Sequence, residues 1–510
     1  MKKKEYILGL IAIYIFFFCL FSLISPGHIY TVDGGDRFKV TESIVEHHTF
    51  SVPEGIGIKG KDGKNYSWYG IGQSLVSIPL YLLGKFISRS FPNIESNYFT
   101  EFSVSFLNVF IGAGICTFIF IFSLLLGFSK RISFTLSILY GICTFSAVHI
   151  RDSYELQTTM FLLGAFLSLY IYSKKMNKMW LVATGIFAGM SITTRFTSSI
   201  LIVPMVRFLW VKFRKEKMWN FLKALLLFVF CLVPFCIFYL YYNHLRFGSL
   251  LERGYGKICL GTYGSEIPLT NSYLKSLFGI ILSPGKGLLF YSPILLLGIV
   301  SFRFFYKKDK LVANLFLMTI LLYICFYAIF YFWHGSMCWG PRYLLPIVPL
   351  LLIPIGLLME TKKYRRIVTV FVVILSIIGF IIQFPAVVTN YKRYYHYADA
   401  IYKVPFEKTI FDIKYSPIIG QWKMFFQVIK KVSNGEPWKM AKCVTGFNSA
   451  QMINNSRTMN IIHFWYMQLY YMGFPIKAIL LMVLPVVMLL IFSLSYIIKY
   501  IYKNRKNNAF

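Results

Sequence analysis

Two pairs of acidic residues stand where their side chains could act as proton acceptors. Asp33 and Asp36 lie in the segment TVDGGDRF, a short distance after the first long apolar run. Asp152 and Glu155 lie in HIRDSYE, between two later apolar runs. A carboxylate within hydrogen-bond reach of a hydroxyl group can orient it and take its proton. Asp33, Asp36 and Asp152 are therefore candidate catalytic residues, although each acid could instead only solvate its loop.

Basic residues stand near the ends of the same apolar runs, where the phosphate of a lipid headgroup would lie. Arginine is suited to phosphate because its guanidinium presents a planar fork of donors. Arg342 is the strongest candidate, since Gly340 and Pro341 stiffen its loop and Trp333, His334 and Trp339 crowd it. The alternative for each arginine is a side chain that extends to the membrane surface from a helix end. The candidate substrate-binding and phosphate-binding residues are Lys59, Glu155, Arg195, Arg246, Arg253, His334, Arg342 and Tyr343.

The sequence predicts no cofactor, and a metal ion is not expected. His47 and His48 are adjacent, so on a helix they point about 100° apart and would not readily share an ion. The chain contains no phosphate-binding loop of the Walker A type and no glycine-rich dinucleotide motif.

The composition indicates what must position these residues. Of the 510 residues, 57% are hydrophobic and 14% are charged, against about 25% charged in an average soluble domain. This excess of apolar surface predicts an all-α polytopic membrane protein. It excludes a soluble enzyme or a disulfide scaffold. The net charge of +33 does not indicate a nucleic-acid partner, because basic clusters in membrane proteins mark the cytoplasmic ends of helices.

Apolar runs long enough to cross a bilayer recur along the chain. Twelve transmembrane helices are predicted, at about 6–25, 99–127, 132–148, 155–173, 179–194, 197–211, 219–243, 287–302, 311–333, 343–359, 367–388 and 477–499. Within the first outer loop, 26–98, helical spacing appears at Arg37–His47 and at Gln73–Phe91, and the second of these is expected to lie in the membrane interface.

The charge pattern predicts the orientation. With a cytoplasmic N-terminus and one crossing per span, the inner segments hold 24 Lys and Arg but four acids, against 29 and 16 elsewhere. A dense Lys and Arg excess in short loops defines the inside. Both termini are therefore predicted to be cytoplasmic, with the candidate active site on the outer face of the cytoplasmic membrane. The chain divides into a transmembrane catalytic module at 1–388, an outer-face segment at 389–476, and a last helix and tail at 477–510.

The order of short motifs along these spans resembles a known family. The chain is similar to GT-C superfamily glycosyltransferases, in the branch of the dolichyl-phosphate-mannose protein mannosyltransferases and the bacterial aminoarabinose lipid A transferases. The resemblance covers roughly residues 6–360. It rests on VDGGDRFKVTESIV, GKDGKNYSWYGIGQSLVSIPLYLLGK, RDSYE, GMSITTR, FGSLLERGY, GLLFYSP and WGPRYLLPIVP, with SPIIG at 416–420 as a weaker match.

The resemblance implies an enzyme that moves a sugar from a polyprenyl-phosphate carrier to a glycan, lipid or protein hydroxyl, with inversion. It implies that a first-loop acid is the general base, which corresponds here to Asp33 or, failing that, to Asp36. The sequence has Asp-Gly-Gly-Asp where the family commonly has adjacent Asp-Glu, so the choice between the two stays open. A lipid-linked oligosaccharide polymerase or ligase is the main alternative, followed by a lipid-sugar flippase or transporter.

Overall fold

A computed structural model of the chain describes residues 3–92, 94–152, 154–254, 272–435, 461–471 and 473–502. Within these ranges the protein is built almost entirely of helices. In chain order they are α1 (Lys3–Ile24), α2 (Val32–His47), α3 (Gly72–Ser88), α4 (Ser96–Ser105), α5 (Leu107–Leu125), α6 (Lys130–Cys143), α7 (Ser146–His149), α8 (Leu156–Lys175), α9 (Lys178–Thr194), α10 (Ile202–Phe213), α11 (Met218–Phe247), α12 (Tyr273–Leu282), α13 (Leu288–Tyr291), α14 (Leu295–Lys308), α15 (Lys310–Ile329), α16 (Val348–Leu352), α17 (Ile355–Glu360), α18 (Arg365–Val388), α19 (Lys392–Ala400), α20 (Phe406–Phe411), α21 (Pro417–Ser433), α22 (Trp465–Tyr471) and α23 (Ile476–Tyr502).

Short elements complete the fold. Three 3₁₀ turns cover Phe196–Leu201, Arg342–Ile347 and Ile413–Tyr415. The first loop carries a small antiparallel sheet of β1 (Ser51–Val52), β2 (Ile58–Lys59) and β3 (Asn65–Tyr66), in the order β1-β3-β2.

The prediction of an all-α membrane bundle is confirmed. Each of the twelve predicted spans falls on a helix or on successive short helices. Within the described ranges, nine of these stretches are long and apolar enough to cross a membrane. The other three lie on α6, α9 and α14, which have 14, 17 and 14 residues.

Helix α8 forms the centre of the bundle. In its most apolar window 94% of the residues are buried, whereas the corresponding fraction is 11% in α23. It packs against α5, α9 and the 3₁₀ turn Arg342–Ile347. The central helix therefore supports the turn on which Arg342 lies.

The predicted inner loops meet at one end of the bundle. Glu360 accepts from the Ser129 backbone N–H at 2.6 Å, and Lys174 lies 3.6 Å from Asp309. Lys130 donates to the backbone oxygen of Tyr500 at 3.1 Å. These contacts join loops that the charge pattern assigned to one side. The assignment of that end to the cytoplasm stays a prediction.

One expectation about the first loop is wrong. Asp33 and Asp36 were placed in a loop before a helix at Arg37–His47, but α2 already begins at Val32. The side chain of Thr31 accepts from the Gly34 N–H and caps this helix, as threonine does at an N-cap. Asp33 and Asp36 consequently lie one helical turn apart, and both are buried. The predicted helix at Gln73–Phe91 is observed as α3, and its place in the interface is untested.

The segment 389–476 is helical where it is described, and residues 436–460 and 472 lie outside the described ranges. Helices α19, α20 and α21 follow the last residue of α18. The stretch that leads into α22 is tied to the bundle, since His463 N–H donates to Val388 O at 2.8 Å and Trp465 N–H to Ser25 O at 2.9 Å. The proposed boundaries of the three regions stay predictions.

Candidate active site

The centre of the site is an ion pair between the first loop and the 3₁₀ turn at Arg342–Ile347. Arg342 Nη1 donates to Asp33 Oδ2 at 2.9 Å, and the two side chains are 9% and 13% exposed. A charge pair this well shielded interacts more strongly than one in water. The sequence analysis selected both residues but did not predict that they are partners.

Asp33 is held as a carboxylate by several groups. Burial alone would raise the pKa of Asp33, but the cations of Arg342 and Arg37 and a hydrogen bond from Tyr69 outweigh it, so the pKa is lowered. Arg37 lies over the Tyr69 ring at 4.6 Å and donates to Gln73 Oε1 at 2.7 Å. Helix α3, which carries Gln73, thus fixes the groups around Asp33.

Aromatic rings fix the direction of Arg342. Its guanidinium carbon lies 4.2 Å from the Tyr154 ring centroid, and its Nη2 donates to the Tyr343 hydroxyl at 3.2 Å. Gly340 has φ +63°, and a Cβ there would come within 2.9 Å of the Tyr291 ring, so glycine is required at this bend. Gly340 therefore sets the backbone bend before Arg342, and the predicted stiffness of the loop stays a prediction.

Lys286 is hydrogen-bonded to the backbone of the same loop. Its ammonium donates to the backbone oxygens of Ser336 at 2.7 Å and Cys338 at 2.6 Å. His334 Nδ1 accepts from the Ser336 N–H at 3.0 Å. Burial, together with the charges of Lys286 and Arg342, lowers the pKa of His334 to about 3. A neutral His334 keeps its Nε2–H as a donor, because its Nδ1 accepts.

A second ion pair lies beside the first. Arg195, at the end of α9, donates to the buried carboxylate of Glu155. The guanidinium carbon of Arg195 lies 4.5 Å from the Tyr343 ring centroid, and that of Arg342 lies 4.9 Å from it. Tyr343 also stacks on Tyr327 at 4.8 Å. The structure thus brings together four residues that the sequence selected separately, with both guanidinium carbons within 5 Å of the centroid of one phenol ring.

Asp36 differs from Asp33 in its environment. It is 7% exposed, and its Oδ2 has no hydrogen-bond partner among the described residues. Burial and the nearby charge of Asp33 raise the pKa of Asp36 to about 6. A carboxyl group with this pKa is close to half protonated in weakly acidic solution.

Asp152 lies in a fully buried hydrogen-bond cluster. His149 Nδ1 is 3.0 Å from Asp152 Oδ1, and Tyr391 donates to Oδ2 at 3.0 Å. His149 Nε2 donates to the Trp339 carbonyl at 2.9 Å. These contacts suit a residue that positions the loop at Trp339, and the predicted catalytic role of Asp152 is untested.

The three remaining candidate cations lie in different surroundings. Arg246 is buried and donates to the backbone oxygens of Ser67 and Tyr69 and to Asn243 Oδ1, so it ties the first loop to α11. Arg253 is exposed and stacks on Phe196 at 4.4 Å. Lys59 is exposed on β2. Their predicted roles in substrate binding are untested.

An apolar groove begins next to the second ion pair. It has a volume of about 280 Å³ and runs between α3, α8, α9 and α11. Its lining includes Thr193 and Thr194, which directly precede Arg195. Gly72 allows the close approach of α3, since a Cβ there would lie 2.4 Å from Thr194 Oγ1. Along α9 the lining of the groove therefore ends at the residue that directly precedes Arg195.

Residues 83–239 match the family model of the Dolichyl-phosphate-mannose-protein mannosyltransferases. The predicted resemblance is therefore confirmed over this part of the chain. The fold is also similar to the crystal structures of ArnT from Cupriavidus metallidurans in the apo state and bound to undecaprenyl phosphate. The TM-scores are 0.49 and 0.48, each at 11% identity, over 98% of this chain and 78% of that chain. No curated protein matches the sequence.

Several residues of the site were not predicted. Arg37 could have been found, because it stands four residues after Asp33 and a helix places such residues on one face. Tyr69 and Tyr154 lie within two of the motifs that carry the resemblance but were not selected, and Lys286 lies outside those motifs. The partners of all three depend on how distant elements pack. Lys392, on α19, was also missed. Burial lowers its pKa, and the charges of Asp33, Asp152 and Arg342 act on it.

The described residues contain no group of three His, Cys, Asp or Glu side chains that could hold a metal ion.

Proposed function

We propose that the protein is an integral membrane glycosyltransferase that moves a sugar from a polyprenyl phosphate to an acceptor hydroxyl. The observation that carries the proposal is the buried Arg342–Asp33 pair with Arg195 beside it, at one end of a membrane bundle. The family match over residues 83–239 supports it, since that family is described by a lipid-phosphate sugar donor.

The two guanidinium groups and the groove together suit a lipid phosphate. Its anion would bind the donors of Arg342 and Arg195, and its isoprenoid tail would follow the apolar groove that starts at Thr193 and Thr194. A charge-assisted hydrogen bond to such an anion contributes about 1.5–3 kcal/mol. A free nucleotide sugar would gain nothing from an apolar groove.

The reaction is an inverting displacement at the anomeric carbon. The acceptor oxygen forms a bond to this carbon while the bond from carbon to the phosphate oxygen breaks. The acceptor proton passes to a carboxylate, and the bond electrons remain on the polyprenyl phosphate. Arginine donors that stabilise the charge on the departing phosphate lower the barrier most when water is excluded.

Asp33 is the proposed base, with Asp36 as the alternative. A phosphate that binds Arg342 competes with Asp33 for the same donors. The pKa of Asp33 would then rise, since the Arg342 cation is the main group that lowers it. Donor binding would therefore increase the proton affinity of the Asp33 carboxylate. Asp36, with a pKa of about 6, already has the affinity for a proton that a base needs.

The acceptor, a glycan, lipid or protein, and the outer-face location belong to this proposal. The rival polymerase or ligase would use a saccharide on a lipid pyrophosphate and would not consume a polyprenyl-phosphate monosaccharide. A flippase would move the carrier without breaking a bond.

The test is incubation of the purified protein with radiolabelled polyprenyl-phosphate sugars and a membrane extract as acceptor source. We expect labelled product and released polyprenyl phosphate, with inverted configuration at the anomeric carbon. Asp33→Asn should reduce transfer by about 10²–10⁴-fold. Glu42→Gln is the matched control, because Glu42 lies on the same helix and pairs with Lys39. An intact donor pool after incubation with every sugar tried would refute the proposal.

A further inference from the structure

Helix α21 has three distinct faces. Its buried face carries Pro417, Gly420, Gln421, Met424 and Val428. These positions recur at helical spacing and therefore form one stripe. The stripe packs on α19 and α18. A Cβ at Gly420 would lie 2.0 Å from the Tyr394 ring, so the contact with α19 requires glycine.

The second face of α21 is apolar and exposed. Phe426 is 63% exposed, Ile419 39% and Ile429 38%, with Trp422 on the same stripe and partly exposed. A soluble helix would bury such a stripe, and α21 already has a separate buried face. A contiguous exposed apolar surface of this kind marks an interaction site.

The third face of α21 carries charge. Lys423 and Lys430 are both exposed and lie about 20° apart on a helical projection, next to the apolar stripe. An apolar stripe flanked by lysines is the pattern of a helix that lies in the membrane interface, with the ammonium groups at the headgroups.

The position of α21 favours lipid as the occupant of the apolar face. Its Trp422 stacks on Phe384 at 6.1 Å, and Phe425 contacts the same ring at 5.6 Å. Phe384 lies on the last turns of α18, a span whose most apolar window is 22% buried. The exposed stripe of α21 is therefore continuous with the lipid-facing surface of a membrane-spanning helix.

We propose that α21 lies in the membrane interface on the site side of the bilayer, with Ile419, Trp422, Phe426 and Ile429 among the acyl chains and Lys423 and Lys430 on anionic phospholipid headgroups. This surface is independent of the glycosyl-transfer proposal. It also bears on the site, since α21 fixes the end of α18, where Gln421 donates to Thr389 Oγ1 at 2.7 Å. The next helix, α19, follows Tyr391, which donates to Asp152.

The first test is photocrosslinking in nanodiscs. Benzoylphenylalanine replaces Phe426 in one variant and Lys423 in the other, and the crosslinked species are identified by mass spectrometry. We expect phospholipid adducts from position 426 and far fewer acyl-chain adducts from position 423. Adducts from position 426 to residues 436–460 of the same chain, to a second copy, or to no lipid would overturn the proposal.

The second test addresses the headgroups. The protein is placed in nanodiscs of phosphatidylcholine alone or of phosphatidylcholine mixed equally with phosphatidylglycerol. Native mass spectrometry then measures which lipids stay bound to the protein. The double variant Lys423→Glu/Lys430→Glu should reduce phosphatidylglycerol retention about tenfold or more, since each lysine near an anionic surface contributes several-fold. Lys408→Glu/Lys414→Glu is the control, with the same charge change at exposed positions just before α21. Equal retention in the two double variants would remove the lysine face from the proposal.

Discussion

Arg342 Nη1 lies 2.9 Å from Asp33 Oδ2, although 309 positions separate the two residues in the chain. The two residues were selected from the sequence for different tasks, one for phosphate and one for a proton. Because they are in contact, neither side chain can be neutralised without leaving a buried, unpaired charge on the other. In the proposed function, a phosphate bound to Arg342 would compete for the same guanidinium and would thereby couple donor binding to the basicity of the Asp33 carboxylate.

Asp33→Asn should reduce transfer by about 10²–10⁴-fold if Asp33 is the base. Because Asp33 is buried against Arg342, and not in a solvated loop, we also expect a loss of stability. The measurement is initial rate per folded protein, with thermal unfolding in parallel and Glu42→Gln as control. Full activity in Asp33→Asn with none in Asp36→Asn would move the base to Asp36, and two active variants would contradict the mechanism.

Arg342→Lys should weaken donor use, and Arg342→Ala should weaken it more, by about ten- to a hundred-fold. Lysine keeps the charge but loses the fork of donors that contacts both Asp33 and Tyr343. Donor affinity is measured by titration of the lipid, and Arg89→Ala is the control because Arg89 is exposed at the end of α3. Unchanged affinity in Arg342→Ala would remove Arg342 from the donor site.

The double variant Asp33→Asn/Arg342→Met should be less destabilised than the sum of the two single changes. Each single change leaves one buried charge without its partner, and the double change removes both. We expect a coupling energy of about 1–3 kcal/mol from chemical or thermal unfolding of the four proteins. Strict additivity would show that the observed pair is not a stabilising contact in the membrane.

Features that depend on neighbouring residues in the chain could be predicted from the sequence, whereas contacts between residues far apart in the chain could not. The spans were correct because twenty consecutive apolar residues are a local property. The start of α2 was missed because Gly34 and Gly35 suggest a turn, whereas the Thr31 cap makes a helix there. Partners across the chain, such as Tyr69 for Asp33 or His149 for Asp152, depend on how helices pack. Composition and spacing contain no signal for that.

Compared with the unmodified protein, Asp36→Asn should be stabilised more at pH 7.5 than at pH 4.5. The pKa of Asp36 is raised to about 6 by burial and by Asp33, so the folded state holds its proton between pH 4 and 6 more tightly than the unfolded state. Stability from this group is therefore lost as the pH rises through 6, and the amide removes that loss. After allowing for partial solvent screening, we expect the gain in unfolding free energy to be about 1 kcal/mol larger at pH 7.5 than at pH 4.5. The measurement is the melting temperature of both proteins at both pH values. An equal gain in stability at both pH values would contradict the raised pKa of Asp36.

The stability of the contact between the first loop and the α22 region should fall as the pH falls from about 6.5 towards 4. Arg151 donates to His463 Nδ1 at 3.0 Å, which leaves His463 Nε2–H to donate to His28 Nε2 at 3.4 Å. Burial lowers the pKa of His28 to about 4, so the unfolded chain takes up this proton first and stability is lost on acidification. His28→Gln should flatten the dependence of the melting temperature on pH, whereas His47→Gln, at an exposed position, should not. An unchanged slope in His28→Gln would assign the dependence to other groups.

The orientation of the chain can be tested with cysteines at opposite ends of the bundle. Asn434 is exposed just after α21, on the side of the candidate site, and Lys362 is exposed between α17 and α18, near Glu360 at the opposite end. The 24 Lys and Arg with four acids in the predicted inner segments predict that the second end is cytoplasmic. An impermeant thiol reagent applied to intact cells should therefore label Asn434→Cys and not Lys362→Cys, with the unmodified protein as the background for its native cysteines. After permeabilisation both should react. Labelling of Lys362→Cys alone in intact cells would invert the orientation and place Asp33 and Arg342 on the cytoplasmic side, where nucleotide sugars are available as donors.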